Sequence, residues 1–338
     1  MIKYLGSKRQ LIPWIVDAIN NNCPRHSSVL DLFSGTSRVG FALKSQEFQV
    51  FSNDHNRFAY HLAHCYVETD LEELPSDLPA LIEHLNNLPQ TPGFFHENYS
   101  VKARFFHPDN GGKIDAIRSE IEKISLEPKI RSLLLVSLME AADRIDSTCG
   151  IQMAYLKSWA KRASNPLILR IPKLLPKNEK PSFAYCLDAL EAAQNIKSDV
   201  AYLDPPYNQH SYRSNYHIWE TLVRFDEPEV YGTAKKRLDC QTEKSVFNSK
   251  KTFKESLKTV LDSLHARHIF MSFSNEGFIC GEDLEHLLST YGKVEILGTD
   301  YKRYVGAQIG IYNQKGAKVG QVKNLHNKEF LYIVDRNA

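Results

Sequence analysis

The sequence predicts an α/β protein: a doubly wound nucleotide-binding sheet with a mostly helical insertion between its two halves. Three observations carry this expectation. Residues 28–54 run as strand, glycine-bearing turn, helix, strand and closing acid, the opening unit of such a sheet. Val200 to Leu203 is a short apolar run ending in Asp204-Pro205-Pro206-Tyr207, where the prolines must terminate sheet pairing. Between these two stretches strand signals give way to helical periodicity.

In chain order, Ser28 to Leu32 is the first strand, Phe33-Ser34-Gly35-Thr36-Ser37 the turn, and Arg38 to Lys44 a helix. Phe48 to Ser52 is the second strand, closed by Asn53-Asp54. From about Leu74 to Pro181 the character changes. Ile114, Ile117, Ile121 and Ile124 recur at helical spacing, and Ile130 to Ile145 is a second helical stretch. After Val200 to Leu203, Phe253 to His265 and Glu282 to Tyr291 read as helices, and His268 to Phe273 and Phe330 to Val334 as strands. The expected division is 1–73, 74–181 and 182–338.

A chain of 338 residues buries about three quarters of its unfolded surface. Its 42% hydrophobic and 24% charged content argues against disorder. The longest uncharged apolar run, Ser132 to Met139, is too short for a bilayer, so no membrane partner is expected. The start MIKYLGSKRQLIPWI lacks the continuous apolar stretch of a signal peptide. The six cysteines form no C-x-x-C pair, so free thiols in a reducing cytoplasm and no metal site are expected.

The net charge of +2 hides an uneven distribution. Residues 151–180 carry seven basic side chains against one acid, 231–258 eight against three, and 302–328 six against none. Aromatics accompany each stretch: Tyr155 and Trp159, Phe247 and Phe253, Tyr304 and Tyr312. Cations that neutralise phosphates, interleaved with rings that stack on bases, suit a nucleic-acid surface. Three solvated faces are the plainer alternative.

Asp31-Leu32-Phe33-Ser34-Gly35-Thr36-Ser37 leaves a strand and opens a helix, where Gly35 permits close backbone approach to a ligand. Gly35 and Gly40 have the spacing of part of a P-loop, but Phe41 stands where its lysine belongs. Ser37 likewise replaces the second glycine of G-x-G-x-x-G. Such a loop suits a nucleoside with an uncharged tail, such as S-adenosylmethionine, with Asp54 accepting from ribose hydroxyls. Taken alone it also fits a plain strand-to-helix turn. Asp204 to Tyr207 is sharper: two prolines fix φ twice and remove two amide donors. There a carboxylate and a proline carbonyl accept from an exocyclic amino group while the tyrosine stacks on its ring. A tight turn at a strand end is the alternative.

Together these motifs resemble the Dam-type, alpha-group DNA adenine-N6 methyltransferases, along almost the whole chain. Tyr4-Leu5-Gly6-Ser7-Lys8-Arg9 fits the family's opening aromatic-x-G-x-K-R segment, with Tyr for the commoner Trp, which implies donor contacts at Tyr4, Gly6 and Lys8. The family's F-x-G-x-G loop matches at Phe33 to Ser37, departing at Ser37, and implies donor contacts for Asp31, Phe33, Ser34, Gly35 and Thr36. Asp54 matches the ribose-binding acid. Cys186-Leu187-Asp188-Ala189 resembles the G-D-[FA] segment, with Leu187 for glycine, so that Asp188 would face the donor's adenine. Asp204, Pro205, Pro206 and Tyr207 match the catalytic motif without departure, and Asp204 would also border the donor. Lys113 to Ile121 and Asn215-Tyr216-His217 resemble segments of one branch.

The resemblance implies a Rossmann-like methyltransferase sheet, S-adenosylmethionine as cofactor, double-stranded DNA as partner, and 74–181 as target-recognition domain. Candidate DNA contacts are Arg9, Lys157, Lys161, Arg162, Arg213, Asn215 and Tyr216. A cytoplasmic monomer of prokaryotic or phage origin is expected, either beside a separately acting restriction endonuclease or as a solitary methylase. Transfer to cytosine N4 or to an RNA amino group uses the same geometry and stays open, as does a non-catalytic DNA-binding protein on the same fold. Cytosine-C5 chemistry is disfavoured because the chain has no Pro-Cys pair, and a kinase or ATPase because the P-loop lysine is missing.

Overall fold

The computed structural model describes residues 1–209, 211–302, 311–312, 318–320 and 326–336, with side chains outside 301–327. Seven strands form its main sheet: β1 (Ser28–Asp31), β2 (Gln49–Asn53), β3 (Phe183–Tyr185), β4 (Val200–Leu203), β5 (His268–Ser274), β6 (Lys293–Lys302) and β7 (His326–Asp335). Their order is β3-β2-β1-β4-β5-β7-β6. The first five are parallel neighbours, and β7 runs antiparallel between β5 and β6. The chain leaves β1 for β2 on one side, and leaves β4 for β5 on the other. The junction of β1 with β4 is therefore where the strand order reverses, and in open α/β sheets a crevice opens at the carboxyl ends there.

Helices cover both faces. They are α1 (Ile12–Asn22), α2 (Arg38–Lys44), α3 (Arg57–Ala63), α4 (Leu78–Asn87), α5 (Pro108–Lys123), α6 (Pro128–Ile145), α7 (Ala189–Asn195), α8 (His217–Arg224), α9 (Phe253–Ser263) and α10 (Gly281–Ser289). Strand side chains alternate between faces. Val29, Val200, Tyr202, Phe270, Leu331 and Ile333 pack with α1 and α2. Leu30, Ala201, Leu203, Ile269, Met271 and Val334 pack with α7, α9 and α10.

A third core is helical. Ile114, Ile117 and Ile121 of α5 and Leu133 to Met139 of α6 pack against Phe58 and Leu62 of α3 and Ile218, Trp219 and Leu222 of α8. Both long helices open on a proline, where the missing amide costs nothing. The helical body thus draws on α3, which follows β2, and on α8, which follows the Asp204–Tyr207 turn.

The Arg38–Lys44 helix and the Val200–Leu203 strand lie where the sequence puts them. β7 is twice the expected length, because its polar N-terminal half pairs with β6 at the sheet edge. β3, β6, α1, α3, α7 and α8 are additions that apolar runs did not announce. No described helix is long and apolar enough to cross a membrane.

Gly111, early in α5, marks a close approach: a Cβ there would lie 2.1 Å from Ser100 Oγ and 2.8 Å from its Cβ. Alanine in a helix gains about 1 kcal/mol over glycine, but overpacking costs about 1–3 kcal/mol. Gly111→Ala is therefore expected to lower the urea midpoint; a raised midpoint would mean the clash relaxes freely.

Candidate active site

The carboxyl ends of β1, β2 and β4 converge on a cleft. Tyr4, Gly6 and Lys8 line it from the N-terminal segment, Asp31, Phe33, Ser34, Gly35 and Thr36 from the loop after β1, Asp54 from beyond β2, and Asp204 and Pro206 from beyond β4. An adjoining recess shares Phe33, Asp54, His55 and Pro206, and adds Leu187, Asp188, Val246 and Phe247. Residues from six separated places in the sequence thus border the cleft or its adjoining recess.

Local chemistry shapes it. Gly35 has φ +52°, and its amide donates to Asp54 Oδ2 at 3.0 Å, joining the β1 and β2 loops. A Cβ at Gly35 would touch the Tyr4 ring at 3.4 Å. Ser37, standing for a glycine, also adopts left-handed backbone at φ +58°. Gly40 takes the close-packing role: a Cβ there would lie 2.7 Å from Ser52 Oγ. Asn53 ties three loops, its amide group donating to the Leu32 and Leu187 carbonyls (3.2 Å each) and its oxygen accepting from the Leu187 amide (3.0 Å). Asp188 caps α7 by accepting from the Leu190 amide at 2.9 Å.

Tyr4 is the middle ring of a stack, 5.0 Å from Tyr212 and 4.6 Å from Tyr216 between centroids, with interplanar angles of 3° and 14°. Lys8, on the same segment, is buried. Its Nζ lies 3.1 Å from Asp204 Oδ1 and 2.5 Å from Glu329 Oε1. The Tyr207 ring packs on Phe273 at 5.2 Å, and Lys8 Nζ stands 6.0 Å from its centroid.

Burial raises the Asp204 carboxyl to about 6, against the pull of Lys8 and with a further push from Glu329. Burial, then the charges of Asp204 and Asp54, raises Asp31 to about 8. Burial takes the Tyr207 hydroxyl to about 12. Desolvation would lower Lys8, but Asp204 and Glu329 outweigh it and hold the ammonium well above its usual range. Perturbed carboxyls in a cleft mark candidate functional sites.

Every residue expected at the donor site borders the cleft or its recess. Pro205 is buried behind the turn, and Tyr207 stands beside it. The expected DNA contacts divide. Arg9, Lys157 and Lys161 are exposed, while Arg162 is bonded to Asp146 at 2.7 Å. Arg213, Asn215 and Tyr216 are turned inward. The Arg213 guanidinium bonds to Glu243, with Asp239 at 3.8 Å, and Tyr216 accepts from the Leu5 amide. To reach a phosphate from this state, their loop would have to open. Phe247 and Phe253, read as rings beside basic charge, are core residues packed edge to face. Of the basic side chains in 302–328 only Lys328 is described, and Tyr304 lies outside the described residues.

Sequence reasoning missed Tyr212, Glu329 and Gln152. Glu329 had a signal: it shares a strand face with apolar Leu331 and Ile333. Gln152 had none. It is buried, its amide donates to the Asn215 carbonyl (2.8 Å), and its Oε1 accepts from the Ile218 amide (2.8 Å) at the start of α8.

A cleft at the strand-order reversal of a mixed α/β sheet, bordered by an acid-proline-proline-aromatic turn, lies where such sheets hold their ligands. Residues 4–277 match the D12 class N6 adenine-specific DNA methyltransferases, and the chain belongs to that family. It is 28% identical over 340 residues to the type II methyltransferase M.NlaIII of Neisseria lactamica, covering 97% of this chain and 100% of that protein. It is 32% identical to the modification methylase StsI of Streptococcus sanguinis and to the type II methyltransferase M.FokI of Planomicrobium okeanokoites, spanning 52% and 50% of their lengths. Membership implies S-adenosylmethionine as methyl donor. The cleft fits it: Ser7 Oγ, Asp31 Oδ2, Ser34 Oγ and Asn56 Oδ1 are buried there without hydrogen-bond partners, suiting a polar amino-acid and ribose ligand.

Tyr4→Ala is expected to destabilise the fold by about 2 kcal/mol or more, because it empties the middle of a ring stack. Tyr4→Phe keeps both stacks and should fall within about 0.5 kcal/mol of wild type. Denaturant midpoints of the two variants compare directly, and equal midpoints would show that the stack contributes nothing.

Proposed function

We propose that this chain is a site-specific DNA adenine-N6 methyltransferase, transferring a methyl group from S-adenosylmethionine to an adenine flipped out of double-stranded DNA. The observation that carries this reading is the shared cleft: the Asp204–Tyr207 turn and the Phe33–Thr36 loop border one space at the β1–β4 junction. The motif order, donor loop, helical body, then Asp-Pro-Pro-Tyr, favours the Dam-type alpha group on a Rossmann-like, doubly wound sheet. Residues 74–181 would then recognise the target, with the exposed Lys157 and Lys161 and the half-exposed Arg162 against phosphates. Relatives named as type II methyltransferases support a role in restriction-modification or as a solitary or phage methylase.

An adenine within a duplex cannot reach the cleft, and extruding it costs a few kcal/mol of stacking and pairing. Asp204 and the Pro205 carbonyl accept from the two amino protons, holding the nitrogen lone pair outward. Tyr207 stacks on the ring, worth about 1–3 kcal/mol. When bound, S-adenosylmethionine supplies a methyl carbon whose sulfur takes the electron pair as the N–C bond forms. Asp204 stabilises the positive charge that develops on the amino nitrogen, and the surplus proton passes to water. Phe33, Leu187 and Phe247 wall the recess for the donor's adenine, beside Asp188, while Asp54 accepts from the ribose. Positioning supplies most of the rate.

The test is to incubate the purified protein with labelled donor and sequence-diverse DNA and to map methylated adenines. Label on cytosine or RNA instead would move the assignment to the alternative base. Asp204→Ala is expected to retain donor binding and lose transfer by at least about a hundredfold. Tyr207→Trp should outperform Tyr207→Ala, and equal activities would remove stacking from that residue's role. Because Asp204 acts ionised, kcat/KM should fall tenfold per pH unit below a limb near pH 6. A flat profile from pH 5 to 7 contradicts the role given to its carboxylate.

A further inference from the structure

Glu329 is a buried acid that the mechanism above does not use, and it lies beyond residues 4–277, where the family match ends. It stands on β7, on the face that carries Leu331 and Ile333. Its Oε1 accepts from Lys8 Nζ at 2.5 Å and from Ser272 Oγ of β5 at 2.9 Å. Lys8 Nζ is at the same time 3.1 Å from Asp204 Oδ1. One ammonium therefore sits between two carboxylates, one facing the cleft and one facing the sheet.

The consequence is electrostatic. Lys8 alone beside Asp204 would cancel the carboxylate where, on the proposed reading, positive charge develops at the target amino nitrogen. A second carboxylate behind the same ammonium leaves the trio with one net negative charge in a poorly hydrated site, where such charges act strongly. We propose that Glu329 is a positioning residue for methyl transfer: by holding the Lys8 ammonium it keeps the Asp204 charge available to the amino group of the target base. This rests on the reading of Asp204 as acceptor.

The groups facing Asp204 define what a variant changes. They are Lys8 and Tyr4 from the N-terminal segment, Asp31 beyond β1, Tyr202 of β4, Tyr207 and Tyr212 after the turn, and Glu329 from β7. Burial raises the four tyrosines, which stay neutral through the working range. Glu329→Gln keeps an acceptor for Lys8 and Ser272 and removes one charge.

In single turnovers with saturating donor and DNA, Glu329→Gln is expected to slow methyl transfer about ten- to hundredfold. Donor affinity and DNA KM should stay within about twofold. The acid limb should move to lower pH, because removing a nearby negative charge favours ionised Asp204. Glu329→Asp, which retains the charge, should return the limb to its wild-type position, and it carries the test if the amide variant does not fold. In a Lys8→Gln background Glu329→Gln should change the rate less than about twofold, since the effect runs through Lys8. An unmoved limb with near-wild-type rate, or full additivity with Lys8→Gln, overturns the proposal. A wild-type enzyme that leaves adenine unmodified would sink the parent reading instead, so the two failures are distinct.

Discussion

The site depends on one buried cation. Lys8 joins the N-terminal segment to the end of β4 through Asp204 and to β7 through Glu329, a partner 321 residues away. An ammonium removed from water is tolerated only with charged partners, and each buried carboxylate beside it needs the ammonium equally. Together with Lys3, paired to Asp146 at 2.7 Å, and the Leu5 amide on Tyr216, this mutual requirement fixes a segment that is otherwise not part of the sheet. With Lys8 in place, Tyr4 and Gly6 are brought to the cleft, and Tyr4 can stack between Tyr212 and Tyr216. The N-terminal residues therefore act as a wall that the sheet alone does not supply.

The same stack connects the cleft to the helical body. Tyr216 leads into α8, whose Trp219 and Leu222 belong to the helical core. Gln152, from the basic stretch 151–180, bonds to the Asn215 carbonyl and to the Ile218 amide, on either side of Tyr216. A force on the basic loop has a short, hydrogen-bonded route to the residues behind the Asp204–Tyr207 turn. That physical continuity, rather than proximity in sequence, is what would let duplex binding and base capture act together on the proposed reading.

How much of this was legible depended on whether a feature is local. The β1 loop, α2 and the Asp204–Tyr207 turn were readable because glycine, proline and strand-end acids impose their geometry on immediate neighbours. Tyr4 and Lys8 were readable as a motif but not as a stack and an ion trio, since those need partners from residues 204, 212, 216 and 329. Phe247 and Phe253 were misread because a ring beside lysines looks the same in sequence whether it faces solvent or core. Glu329 was the nearest miss: an acid in phase with Leu331 and Ile333 signals a buried charge, but not which cation meets it.

Charge follows the same logic. The overall +2 counts Arg237 as one of the basic residues of its stretch, yet Arg237 is buried and bonded to Asp226 and Asp239. Arg213 is likewise held by Glu243, and Lys8 by two acids. These cations are already neutralised by partners inside the fold and contribute little field to a polyanion. Among the described residues, Lys157, Lys161 and Arg9 remain exposed and have no acid in ion-pair contact. Residues 151–162 combine two such lysines with an exposed Trp159 and the buried Gln152 anchor. That combination puts free charge outside and a hydrogen-bonded tether inside, so an exposed basic segment is fastened to the start of α8 through Gln152.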